Sequence, residues 1–94
     1  MNLDKARSRI AKQVKKVSKG YPTIAIKYFG TATDCATQVM VEFVAEEGAQ
    51  PQSQIFEGKT DVRKDEVIQT TLVKIIERAD ANTVTEATEV ALLK

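Results

Sequence analysis

The chain has 94 residues, 43% of them apolar and 29% charged, so it fits one folded domain and none of the disordered, fibrous or disulfide-stapled classes. It holds no run of 18 apolar residues and no apolar stretch ahead of a small-residue cleavage site, so neither a membrane span nor a signal peptide is expected and a cytoplasmic location is. The net charge of +1 hides an asymmetry: residues 1–20 carry seven cations against Asp4, a net +6, while the rest carries seven cations against twelve acids, a net −5.

Between Leu3 and Tyr21 the apolar residues Leu3, Ala6, Ile10, Val14, Val17 and Tyr21 recur at spacings of three and four, the period of an amphipathic helix. Gly20 and Pro22 terminate it. The segment Thr23 to Gly30 alternates Ile24, Ile26 and Tyr28 with Ala25, Lys27 and Phe29 and predicts a strand. A second strand follows over residues 37–45, with Val39, Val41 and Phe43 on one face and Gln38, Met40, Glu42 and Val44 on the other. After an exposed connection at Glu46 to Gln52, SQIFEG is expected to be a short third strand at a sheet edge.

From Thr60 or Asp61 a second helix is predicted, carrying the stripe Val67, Ile68, Thr71, Leu72, Ile75, Ile76 and Ala79. Residues 80–82 break that pattern, and Thr83 followed by Glu86 reads as a capping box opening a last helix through Leu93. The expected fold is therefore α+β in the order α-β-β-(β)-α-α, an antiparallel three-stranded sheet with helices packed on one face, in a single domain over residues 1–94.

Chemistry is constrained by what is missing. The chain has no histidine, which removes the commonest general base, the usual partner of a catalytic Ser or Cys, and the commonest metal ligand. Cys35 lies next to Asp34, a neighbour that blunts thiolate formation. The acid pairs Glu46-Glu47 and Asp65-Glu66 point apart on any regular backbone and lack a calcium-loop spacing. GKTD at residues 58–61 resembles the end of a phosphate-binding loop, but Ser53 stands where its upstream glycine belongs. No catalytic residue, metal site or cofactor is predicted, and the chain is read as a non-enzymatic binding or accessory domain.

On the first helix Lys5, Arg9, Lys12, Lys16 and Lys19 form one stripe opposite the apolar face, with Arg7 and Lys15 on its flanks. That stripe can be a solvated surface, a polyanion-binding face that neutralises phosphates, or a contact with an acidic protein or a second subunit. On the sheet, Phe29, Met40 and Val44 fall on the face away from the helices and are the candidate homodimer face. A homodimer or an acidic protein partner is expected, nucleic acid is the alternative partner, and no membrane contact is expected.

In element order, a basic helix, three antiparallel strands and a further helix, the chain resembles the double-stranded RNA-binding domain. Such domains carry a lysine cluster at the start of the last helix, where this chain reads TDVRKDEV, with Arg63 and Lys64 offset by Asp61, Asp65 and Glu66. The resemblance stops at element order, and no membership is read from it.

Overall fold

The computed structural model describes residues 2–16 and 20–92. The first helix, α1, spans Leu3–Lys15, and the Asn2 side chain caps it by accepting from the Lys5 N–H at 2.8 Å. Ala6 and Ile10 are fully buried, whereas Val14 is 37% exposed. The last residue of the helix is Lys15, and Lys16 caps it in extended backbone. The predicted helical positions Val17 and Lys19 lie outside the described residues, as does Leu93.

Three strands follow: β1 at Thr23–Gly30, β2 at Gln38–Val44 and β3 at Gln52–Glu57. They pair antiparallel in sequence, with Ile24 opposite Phe43, Ile26 opposite Val41 and Tyr28 opposite Val39. A short 3-10 turn at Val62–Lys64 precedes α2, Glu66–Ala79, whose first turn is capped by the Asp65 carboxylate. The predicted start at Thr60 or Asp61 thus moves to Glu66, because Asp61 caps the 3-10 turn and Asp65 caps the helix proper.

The fold is α+β, as expected, but its sheet is mixed and four-stranded, in the order β3-β2-β1-β4. The last predicted helix is instead a strand, β4, over Thr83–Leu92, parallel to β1. Two causes override the capping-box pattern. First, five of the eight residues of TVTEATEV are β-branched, which suits a pleated surface. Second, the chain leaves α2 through Asp80 in left-handed geometry and is then tied to the segment before β1. Asn82 N–H donates to the Pro22 carbonyl at 2.9 Å, Asn82 Nδ2 to the Tyr21 carbonyl at 2.7 Å and Thr83 Oγ1 to the Gly20 carbonyl at 2.9 Å. These bonds start β4 beside β1 and running the same way.

Because β3 and β4 are the two edges, α2 must carry the chain across the sheet. Its 14 residues span about 21 Å, more than the roughly 14 Å between edge strands. Both helices cover one face, over a core of Ile24, Ile26, Tyr28, Val39, Val41, Leu72, Val73, Ile76, Val84 and Val90. Among the described residues no helix is long and apolar enough to cross a membrane.

Candidate functional surfaces

The basic stripe on α1 is partly intact. Lys5, Arg9, Lys12 and Lys16 are exposed, and Arg9 meets Glu77 of α2 at 3.3 Å. Among the described residues no acid lies within 4.0 Å of Lys5, Lys12 or Lys16. Beside the stripe, a groove of about 190 Å³ runs between the helices, lined by Arg9, Ile10, Lys12, Gln13, Val73, Ile76 and Glu77. Its rim mixes both charges, so it is no simple anion pocket. Lys19, the fifth predicted member of the stripe, lies outside the described residues.

Arg7 behaves differently from the other cations. It leaves the stripe and turns under α1 into a polar cluster at the junction of both helices with the sheet. Its Nη1 donates to Glu86 Oε2 at 2.6 Å and to Gln69 Oε1 at 2.7 Å, and its Nη2 donates to Glu86 Oε1 at 3.1 Å. The Tyr28 hydroxyl donates to Glu86 Oε2 at 2.5 Å, and Gln69 Nε2 donates to the Val62 carbonyl at 2.9 Å. Tyr28 and Gln69 are essentially unexposed, and the Glu86 side chain is 6% exposed. Every buried side-chain polar atom among the described residues has a partner. A fully satisfied network of this kind costs little and fixes how four elements fit together.

The electrostatics agree with that reading. Burial pushes the Tyr28 hydroxyl up to about 12, and its bond to the Glu86 carboxylate acts in the same direction. Burial alone would lower the Arg7 guanidinium, yet the paired Glu86 carboxylate holds it above its ordinary range. Arg63 and Asp61 form a second, local pair at 2.6 Å, and those hydrogen bonds hold the Asp61 carboxyl below its usual range.

Sequence reasoning missed this cluster. The helical wheel puts Arg7 on a flank of the basic stripe, although it shares a face with Leu3 and Ile10, and the capping-box pattern puts Glu86 at a helix start, so neither brings the two together. The period-two alternation of Val84 and Glu86 was the available signal.

The helix-free face of the sheet carries Phe29, Met40 and Val44 together, as expected, alongside Lys27 and Glu42. All three apolar residues are half-buried. The more exposed apolar side chain on that face is Ile55 of β3, which is 59% exposed and opposite Met40. Cys35 is half-buried, and no cluster of three metal-ligating side chains occurs among the described residues. No protein-family model, no curated protein and no solved structure matches the chain.

Proposed function

We propose that the chain is a non-enzymatic binding domain of the cytoplasm that acts through protein contacts as a homodimer. What supports this reading is Ile55 of β3, 59% exposed and opposite Met40 on the side of the sheet that carries no helix among the described residues. Light scattering after size exclusion tests it: a mass near twice 10.4 kDa at micromolar concentration is expected, and a strict monomer refutes it.

A second reading, polyanion binding along α1, is favoured by the absence of ion-pair partners at Lys5, Lys12 and Lys16 among the described residues. Its signature is affinity for a short nucleic-acid duplex that falls steeply with salt and disappears in Lys12→Glu, Lys16→Glu. No binding at low salt sinks it.

A further inference from the structure

The two edges of the sheet are built differently. At β4 the register with β1 breaks between Lys27 and Tyr28: Ala87 pairs with Lys27 and Val90 with Tyr28, so residues 88 and 89 bulge from the edge. Such a bulge interrupts the row of backbone groups that another strand needs. At β3 the register with β2 is unbroken over all six residues. That strand contains neither lysine nor proline, its only charge is Glu57 at one end, and Gln52, Ser53, Gln54 and Ile55 are all exposed. Apart from Glu57 and its modest length, it has none of the lysines, prolines or bulges that keep an edge strand unpaired.

The direction of its backbone groups follows from one bond. The Gly58 N–H donates to the Thr37 carbonyl at 2.9 Å, in step with the β2–β3 register. Alternate residues therefore bond inward to β2, namely Phe56, Gln54 and Gln52, while Ser53, Ile55 and Glu57 turn their N–H and C=O groups to the open edge.

We propose that β3 is the seam of the homodimer: the β3 strands of two copies pair antiparallel about a two-fold axis at Ile55, joining two four-stranded sheets into one continuous sheet. The proposal rests on the homodimer reading and names its contact. Antiparallel neighbours opposite each other must share a face, so the register about Ile55 sets Ile55 against its own copy, Ser53 against Glu57, and Gln54 against Phe56.

Each property of this register suits self-association. The outward-facing residues are the ones that become hydrogen-bonded pairs, about six bonds at two per pair. The lone carboxylate, Glu57, meets a serine rather than its own copy. On the helix side, the half-buried Phe56 of one copy comes beside Gln54 of the other, at a cavity of about 190 Å³ lined by Val41, Phe43, Gln52, Gln54 and Ile75. On the opposite side the two Ile55 side chains cover each other, and both Phe29–Met40–Val44 faces lie on the same side of the joined sheet.

The experiment is cross-linking combined with mass. In a Cys35→Ser background, Ile55→Cys is expected to oxidise to a covalent dimer, because opposed hydrogen-bonded residues lie about 5.5 Å apart, within disulfide reach. Thr85→Cys, on the bulged edge strand, is expected to stay monomeric on denaturing gels. Ile55→Lys is expected to weaken the dimer at least tenfold by light scattering, with an unchanged circular dichroism spectrum. A wild-type dimer in which Ile55→Cys does not cross-link overturns the seam and leaves the homodimer reading standing. A wild-type monomer overturns both. The cysteine result decides the matter even where Ile55→Lys fails to fold.

Discussion

Glu86→Ala removes the centre of the buried network. Glu86 accepts two bonds from Arg7 and one from the Tyr28 hydroxyl, so its loss strands a guanidinium and a phenol inside the protein. Removing one partner of a fully buried ion pair costs about 3 to 5 kcal/mol. Two features reduce that here. The Arg7 side chain is 31% exposed and can reach water, and it keeps its bond to Gln69 at 2.7 Å. A loss of about 2 to 3 kcal/mol is therefore expected. For 94 residues the whole stability is on the order of 5 to 14 kcal/mol, so the variant gives up a large fraction of it. Urea denaturation at fixed protein concentration should show the midpoint falling by roughly 1 to 2 M at an unchanged slope. The paired replacement Arg7→Met, Glu86→Leu should recover only part of the loss, since it leaves no charge uncompensated but still deprives the Tyr28 hydroxyl and Gln69 Oε1 of their partners. A single-variant loss under about 0.5 kcal/mol would refute the claim that this network is what locks β4 and α1 to the sheet.

Three further outcomes follow from the same structure. Because the folded state holds the Tyr28 proton up to about 12 against an ordinary 10, its contribution is complete below pH 10 and is lost as pH rises from there through 12; urea midpoints at pH 9 and 11 should differ for wild type and lose that component in Tyr28→Phe. Asp61 has the opposite sign: hydrogen bonds from Arg63 lower its folded value, so its contribution is present above the ordinary 3.8 and is lost as pH falls through the folded value, and Asp61→Asn should flatten the acid limb of a stability profile while costing about 1 kcal/mol at neutral pH. Gly30→Ala would drive a methyl into the Cys35 carbonyl oxygen and to 3.2 Å from Val90 Cγ1, so a loss of about 2 kcal/mol or more in thermal or urea melts is expected; a neutral result would mean that the 31–35 turn gives way freely.

Local periodicity made most of the elements legible. Alternation at Ile24, Ile26 and Tyr28 and at Val39 and Val41 located β1 and β2, and the apolar stripe located α2 but not the whole of its buried side, since Val67 of that stripe is 75% exposed whereas Gln69 and Val73 outside it are buried. SQIFEG was recognisable as an edge strand because it is short and bracketed by turn residues. The last element was not legible, because TVTEATEV satisfies a capping box and a strand pattern equally well. The choice between them is made by the open edge of β1, some 60 residues earlier in the chain. The network failed for the same reason: Arg7 and Glu86 are 79 positions apart, and a glutamate facing the core is tolerable only when that arginine arrives beside it.

The same pairing alters what the charge asymmetry implies. Of the seven N-terminal cations, Arg7 is neutralised by Glu86 and Arg9 by Glu77, so part of the +6 excess is used inside the molecule. Lys5, Lys12 and Lys16, which meet no acid among the described residues, sit on α1 and at its C-terminal cap, and α1 packs over β4 at one edge of the sheet, whereas β3 is the other edge. Dimerisation through β3 therefore leaves both basic helices at the outer ends of the joined sheet, and the homodimer and polyanion readings do not compete for one surface. Their independence is measurable: Lys12→Glu, Lys16→Glu should leave the dimer mass unchanged. A shift to monomer in that variant would put α1 at the interface and exclude β3 as the seam.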